Sequence, residues 1–423
     1  MMKAYPEYKE SELVWMGKVP KNWDVKPLKY LISEPIKTGK LDVNAGSSDG
    51  VYPFFTCSSE TKKINSYSFD CEALLIAGNG DVGLTKYYNG KFDAYQRTYV
   101  VSGFSSVMPR FFNYAFNSMF FKYLEPMKKG SVIDFIKLPF LQNFPIAAPD
   151  IDEQKSIVAF LDVETTRIDK LIAEKENFIK LLQEKRKALI SHVVTKGLNS
   201  NVPTKDSGVE WIDKIPEHWK VTKLRYLGKC QNGINIDGEA FGSGFPFVSY
   251  GDVYNNKALP SKVKGLVEST TKDREIYSVK SGDVLFTRTS ETIDEIGFTS
   301  VSHSDMENAV FAGFLIRFRP KENAIDPLYS EYYFQNEKLR AFFVKEMNLV
   351  TRASLSQELL KRMPVTLPPV KEQKEIAEFI SSKDKLISEL AEEVKNSIEL
   401  LKEHRTALIS AAVTGKIDVR EEV

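Results

Sequence analysis

Three short runs in the chain carry residue types that could hold a nucleotide, a metal or a methyl donor. Gly78-Asn79-Gly80-Asp81-Val82-Gly83 has GxGxxG spacing and follows the apolar run Ala73–Ala77. Such a loop cradles a pyrophosphate because its glycines let backbone N–H groups approach and because a helix begins next. Here Leu84–Gly90 follows, which reads as a strand closing on a hairpin turn at Asn89-Gly90, so a surface recognition loop is expected instead. Pro149-Asp150 with Glu153-Gln154-Lys155 has the residue order of a PD…ExK nuclease. The metal ligands of that site stand on separate, adjacent strands, whereas these crowd a helix start, where acidic side chains favour the helix dipole. Phe241-Gly242-Ser243-Gly244 faintly resembles a methyl-donor loop, but no strand precedes it. No (Asn/Asp)-Pro-Pro-(Tyr/Phe) string occurs. The nearest, Leu367-Pro368-Pro369-Val370, lacks both the amide or carboxylate and the aromatic ring needed to hold a flipped adenine, and suits a strand end and a helix opening.

The remaining chemistry-bearing residues form no constellation. There is no Walker A string and no Ser/His/Asp grouping. Cys57, Cys71 and Cys230 make no CxxC pair, and His192, His218, His303 and His404 are scattered, so zinc-ligand spacing is missing. The chain is expected to be non-catalytic and to hold no metal or cofactor of its own.

At 423 residues the chain is too long for one core and suits two or three domains. Its 42% apolar and 27% charged content is that of an ordinary globular protein. The polar opening, Met1 to Leu13, carries no secretory apolar core, and no apolar run reaches the roughly 18–20 residues of a membrane span. A cytoplasmic protein with reduced thiols is expected. A net charge of +1 makes tight non-specific DNA binding by the isolated chain unexpected; a partner could supply phosphate contacts.

The elements that would position any site are written twice. Trp15, Pro20 and Trp23 return as Trp211, Pro216 and Trp219, and Leu28, Tyr30 and Leu31 return as Leu224, Tyr226 and Leu227, all offset by 196. A second block, from Pro149, Glu153, Gln154 and Lys155 to Arg186, Ala188, Leu189, Ile190 and Ser191, returns without gaps at an offset of 219. Set against 196, that offset gives the second copy 23 extra residues between its matching ends. The middles, about 32–140 and 228–360, agree only at Pro53-Phe54 with Pro246-Phe247 and at Gly83-Leu84-Thr85 with Gly297-Phe298-Thr299. Uniform drift would not spare two blocks so well, so a shared scaffold carrying two different readers is expected.

Residues 151–196 and 370–414 contain neither proline nor glycine and are rich in Glu, Lys, Leu and Ala. Stripes run through Ile157, Leu161, Ile168, Leu171, Phe178, Leu182 and Leu189, and through Ile376, Ile380, Ile387, Leu390, Val394, Leu401 and Leu408. That 3-4 spacing predicts long helices paired as a coiled coil, with Gly197 and Gly415 at their C-caps. An antiparallel pair would place the two readers at opposite ends of a rod that acts as a ruler.

The readers, 32–145 and 228–364, are short strand-like runs broken by turn residues, each followed by an aromatic-rich helical stretch, Arg110–Tyr123 and Pro327–Lys345. Each predicts an α+β domain with a mostly antiparallel sheet. Base reading needs Arg, Lys, Asn, Gln, Ser or Thr projected from loops into a groove. In the first reader the candidates are Lys37, Thr38, Lys40, Thr56, Ser58, Asn79, Gln96, Arg97, Lys129 and Ser131. In the second they are Asn232, Ser249, Tyr250, Arg288, Thr289, Arg352 and Ser354.

The doubled Pro-x-x-Trp opening, Glu-Gln helix start and Arg-x-Ala-Leu-Ile-Ser helix end resemble the specificity subunits of type I restriction-modification systems, over nearly the whole chain. The resemblance implies an α+β fold: two similar target recognition domains separated by two long antiparallel coiled-coil helices, with an internal pseudo-two-fold repeat. The expected boundaries are 1–148 and 199–367 for the recognition domains and 149–198 and 368–423 for the helical scaffold. It implies double-stranded DNA with a bipartite site as target. It also implies two methyltransferase subunits and two restriction (motor) subunits as partners, with no membrane association. S-adenosylmethionine, ATP and Mg would be bound by those partners. Glu153, Gln154, Glu372 and Gln373 match the family's motif and are candidates either for partner docking on the scaffold or for helix capping.

Overall fold

The structure, a computed structural model, describes residues 3–125, 135–290, 296–346 and 353–421. The two proline- and glycine-free blocks are single helices, Ile151–Lys196 and Val370–Val413. Asp150 opens the first by accepting the Glu153 N–H at 2.9 Å, and Asp152 and Glu153 put negative charge in its first turn. Gly197 and Gly415 stop the helices at φ +77° and +68°, a conformation that costs a residue with a Cβ.

Compactness does not follow the linear order of reader, helix, reader, helix. One unit comprises Met1–Glu176 with Lys395–Val423, and the other Asn177–Val394. Each takes the start of one long helix and the end of the other. In the first unit Ile157, Leu161 and Ile168 share a core with Leu408, Ile409, Ala412 and Val413. Arg405 forks onto the Asp169 carboxylate at 2.9 and 3.0 Å. In the second unit Ile190, Val193 and Val194 pack with Ile376, Ala377 and Ile380, and Arg186 pairs with Asp384. Advancing along one helix segment means retreating along its neighbour, so the segments are antiparallel within each unit.

The reader of the first unit is one six-stranded sheet. Its spatial order is Lys37–Thr38, Thr98–Val101, Phe69–Ala77, Thr85–Ala94, Tyr52–Phe55 and Thr61–Ile64. All pairings are antiparallel except that of Tyr52–Phe55 with the end of Thr85–Ala94. Alternation along Phe69–Ala77 sends Leu74 and Ile76 to one core, with Phe111, Phe112, Phe116 and Phe120 of the helix Pro109–Leu124. Ala73 and Leu75 go to the other, with Phe55 and Phe92. The reader of the second unit is built around two larger sheets among the described residues. Gly228–Asn232, Leu315–Pro320, Val284–Thr287 and Thr299–Val301 form one, and Gly265–Val267, Phe241–Val248 and Val310–Phe311 form the other. Phe241–Val248 runs parallel to Val310–Phe311, repeating the parallel step of the first reader. Among the described residues no helix is long and apolar enough to cross a membrane.

Two sequence expectations are corrected. Asn89-Gly90 is not a turn: Asn89 pairs with Glu72 and Gly90 with Cys71 inside a continuous strand. The chain reverses at Gly78–Leu84 instead, where Gly80 and Gly83 supply positive φ and the Gly83 N–H donates to Ala77 O at 2.9 Å. The heptad stripes also fail to stay inward. Leu171 and Phe178 are 37% and 41% exposed while Ile172 packs on the core, and the buried position near the helix end is Ile190 rather than Leu189. A straight helix drifts by about 20° per heptad against a 3.5 repeat, which moves the inward face by a residue over this length.

Replacing Gly415 with Ala is expected to destabilise the first unit strongly. The new Cβ would lie 2.3 Å from the Pro20 ring at a φ that already disfavours it. Gly208→Ala, with the same φ and open space around it, should cost only about 1 kcal/mol. Denaturant titration of the two variants side by side separates clash from backbone strain.

Candidate nucleic-acid interface

A polar clasp closes each unit where two long-helix ends meet. In the first, Trp23 is fully buried and donates its Nε1–H to Glu153 Oε1 at 3.0 Å, and Asn22 Nδ2 reaches Oε2 at 3.3 Å. In the second, Trp219 donates to Glu372 Oε1 at 3.0 Å and His218 Nε2 sits 2.7 Å from Oε2. Gln154 accepts the Met108 N–H at 2.7 Å and donates to Pro149 O and Ser106 O at 2.9 and 3.1 Å. Gln373 repeats this with the Asp326 N–H at 2.8 Å and Pro368 O at 3.0 Å. Both amides have no exposed surface, and their polar atoms are taken up within the unit. Their hydrogen-bonding capacity ties the helix start to the reader. The Glu153 and Glu372 carboxylates are likewise engaged by the tryptophan indoles.

The readers correspond at the level of hydrogen bonds, even where their sequences do not. The Gly78 N–H donates to Arg97 O at 3.0 Å, and the Arg288 N–H donates to Phe314 O at 2.9 Å. The Ile136 N–H donates to Gly78 O at 2.8 Å, and the Leu355 N–H to Arg288 O at 2.7 Å. Asn79 bridges to Phe135, and Thr289 pairs with Ser354. Thr38 lies opposite Tyr99, and Asn232 opposite Ile316. Thr38 therefore corresponds to Asn232, Gly78-Asn79 to Arg288-Thr289, Gln96-Arg97 to Gly313-Phe314, and Phe135 to Ser354. The faint sequence matches obey the same frame. Phe54 and Phe247 enter the parallel steps, and Gly83 and Gly297 have positive φ, each facing a helix phenylalanine, Phe120 and Phe343.

In the first reader Thr38, Asn79, Gln96 and Arg97 come together around a cavity of about 230 Å³, with Tyr99 and Phe135 in its wall. Gln96 and Arg97 are exposed. Lys37 is on the same edge strand but paired with Glu34 at 3.0 Å, and Lys40 is exposed just beyond it. Thr56 is buried and bonded to Ser58 at 3.0 Å; their loop is tied to the Gly78–Leu84 turn by the Asp81 N–H, which donates to Cys57 O at 3.1 Å. In the second reader Asn232, Arg288, Thr289 and Ser354 gather at the corresponding place. Ser249 is a helix cap in a reciprocal box with Asp252, and Tyr250 stacks on Tyr254 with ring centroids 5.8 Å apart. Both are therefore occupied by local structure. Lys129, Ser131 and Arg352 lie outside the described residues.

Sequence reasoning missed Phe314, because an aromatic followed by Leu315 and Ile316 has the pattern of a strand. The strand begins at Leu315, and Phe314 is 64% exposed on the preceding turn. Two further arginines, Arg317 and Arg319, brace the fold along the strand that follows that turn. Arg319 forks onto the fully buried Asp283 at 2.7 and 2.6 Å. Arg317 is 5% exposed and donates to Gln231 and to Ser278 O, and burial pushes its guanidinium down to about 10. Cys230, on the neighbouring strand, is pushed up to about 12 by the same loss of solvent, so it is a packed thiol and not a nucleophile.

Duplicated readers with register-matched, residue-divergent loops on a shared helical scaffold define a recognition protein. The family model described as the type I restriction modification DNA specificity domain matches residues 20–181 and 216–400. The chain belongs to that family, as a DNA sequence-recognition subunit that is not itself an enzyme. It is 25% identical over 418 residues to the EcoDI specificity subunit of Escherichia coli, covering 95% of this chain and 90% of that one. It is 26% identical over 310 residues to the MjaVIII specificity subunit of Methanocaldococcus jannaschii, covering 73% and 70%. It shares its fold with a chain solved in work on complex assembly and conformational transition of the type I R-M system, at a TM-score of 0.71, 15% identity and coverage of 94% and 99%. It also shares it with the HsdS subunit of Thermoanaerobacter tengcongensis, at 0.56, 14% identity and coverage of 94% and 98%.

Asp283→Ala should destabilise the second unit by about 3 kcal/mol, because it strips the partner from a half-buried guanidinium and leaves a void. Urea unfolding of the variant against the parent checks this. A cost no larger than that of a surface ion pair, below about 1 kcal/mol, would contradict the bracing role.

Proposed function

We propose that each unit reads one half of a bipartite double-stranded DNA site and that the long helices set the unread spacer between the halves. The observation that carries this reading is the register match of the two reader clusters, Thr38, Asn79, Gln96 and Arg97 against Asn232, Arg288, Thr289 and Ser354, on a duplicated frame. A frame kept constant while the projecting residues change is what two different half-sites require. Direct base contacts are assigned to these residues, with Lys37, Lys40 and Ser58 as flanking contacts. Arg97 offers the donor fork that matches guanine O6 and N7 in the major groove.

The chain supplies specificity and geometry, and the chemistry belongs to partners. Two methyltransferase subunits docked on the helical scaffold would use S-adenosylmethionine to methylate adenine N6. Two restriction subunits would add ATP- and Mg-dependent translocation and cleavage. The net charge of +1 supports a shared interface, since the partners must bring most of the phosphate contacts. The chain itself would bind no cofactor. Its place of action would be the cytoplasm, where the partners and the DNA are.

The first helix runs unbroken for 46 residues, or about 69 Å at 1.5 Å per residue. Adding or removing one turn of about 5.4 Å in both long helices is expected to shift the spacer by one to two base pairs of about 3.4 Å each. An unchanged spacer would end the ruler reading. Methylome sequencing of cells with and without the gene tests the function as a whole: a gapped two-part adenine-methylation motif should vanish on deletion. Arg97→Ala should relax one position in one half only, costing about 1–3 kcal/mol of discrimination there. Loss spread evenly over both halves would assign Arg97 to phosphate instead.

A further inference from the structure

We propose that Phe314 is a base-reading residue of the second unit, that the feature it reads is the methyl group of a thymine, and that the two units use opposite chemistries at this shared position. The inference rests on the DNA-reading role proposed above and adds to it the identity of one contact.

The position is defined by backbone, not by resemblance. Phe314 and Arg97 each accept from the residue that follows the central strand, Arg288 at 2.9 Å and Gly78 at 3.0 Å. Each sits in a turn closed by the next residue, Leu315 N–H to Ala312 O at 3.0 Å and Thr98 N–H to Tyr95 O at 2.8 Å. One reader thus presents a guanidinium at the place where the other presents a phenyl ring. The turn that carries the ring is tightly packed at Gly313. A Cβ on Gly313 would lie 1.9 Å from Asn235 Oδ1, and the Arg288 guanidinium reaches Gly313 O at 3.5 Å. A turn packed this closely fixes the backbone that carries the ring.

The surroundings are wrong for an ordinary core residue and right for a groove. Phe314 is 64% exposed, and the elements beside it carry Arg288, Thr289, Ser354 and Asn232. A ring standing in water amid polar and basic side chains gains from burial only when something covers it. A phenyl ring can neither donate nor accept a hydrogen bond to a base edge. In the major groove the one apolar feature that distinguishes a base pair is the thymine C5 methyl. Arg288 and Thr289 alongside can meet neighbouring polar edges or phosphate.

The test uses the assembled complex with its methyltransferase subunits and duplexes carrying the site defined by methylome sequencing. Each thymine of both halves is replaced in turn by deoxyuridine, which removes a single methyl. One replacement, in one half, should weaken binding about fourfold, the worth of one buried methyl-sized group. Phe314→Ala should bind the thymine and uracil duplexes equally and relax that position alone. Phe314→Arg should move the preference there towards guanine. The ring is exposed, so both variants should keep the parent melting temperature. The inference is overturned if the half-site governed by the second unit has no A·T pair. It is equally overturned if no uracil replacement weakens binding by the parent complex, or if Phe314→Ala keeps the thymine preference. Failure of the underlying reading looks different: the parent complex would then show no two-part motif at all.

Discussion

The structure depends on the clasp that joins opposite ends of the long helices. At each clasp the carboxylate in the first turn of one helix accepts an indole N–H, and the glycine ending the other helix lies against the same ring: Gly197 against Trp219, Gly415 against Trp23. A helix start leaves N–H groups without partners, and a helix end leaves carbonyls. Bringing a start beside an end packs both against one buried tryptophan, whose N–H is taken up by the first-turn carboxylate. Gln154 and Gln373 then fasten the reader to the helix start through main-chain bonds on both sides of the amide. An amide that donates twice and accepts once without water is expensive to replace, because each abandoned buried partner costs about 1–3 kcal/mol.

That constraint explains why the chain is compact in an order different from the order in which it is written. The first unit is complete only when Lys395–Val423 returns to residues near the N-terminus, where Lys3 bridges to Asp418 and the Asp418 N–H donates to Lys3 O at 2.8 Å. The second unit closes with no such return because its helix segments already flank its reader in sequence. With the frame fixed at these points, the loops between the strands carry little structural duty. The interval from Ser249 to Arg288 could lengthen relative to Thr56 to Gly78, adding the helices Tyr250–Asn255 and Thr271–Ile276 around the strand Gly265–Val267 that matches Thr61–Ile64, while the bonds around Arg288 and Phe314 kept the first reader's pattern.

Much of this was legible in the residues. Freedom from glycine and proline over 151–196 fixed the helix to its ends, and Gly197 and Gly415 marked the stops. The polar loops at Asn79, Gln96-Arg97 and Arg288-Thr289 were found because turn residues interrupt apolar runs. What was not legible has physical causes. Local signals could not reveal which helix halves share a core, since that is settled by contacts more than two hundred residues apart, such as Arg405 with Asp169. Asn89-Gly90 has a turn signature, but the strand was held straight by its partner, Glu72 and Cys71, and by Phe92 and Tyr88 packing below. Ser249 looked like a reader because serine at a loop end is ambiguous until Asp252 is seen to cap with it. Phe314 escaped because an aromatic beside Leu315 and Ile316 reads as strand, and only the bonding pattern separates the exposed ring from the buried run.

These cases point to a common criterion for reading residues. A side chain already spent on the fold, as Thr56, Ser249 and Gln154 are, can reach a base only by giving up an internal bond, and that cost is subtracted from any discrimination it provides. Arg317 and Arg319 show the same for cations: they stand on the strand that leaves the reader turn, yet Asp283, Gln231 and Ser278 absorb their donors. A side chain free to read is one the fold positions without using. Arg97 and Phe314 meet that condition in opposite ways, since in both cases the bond made to the neighbouring strand comes from the main-chain carbonyl and the side chain is left exposed. A position anchored by its backbone can exchange a guanidinium for a phenyl ring at no cost to the sheet. Recognition can therefore diverge between the two units while the frame that holds them stays the same.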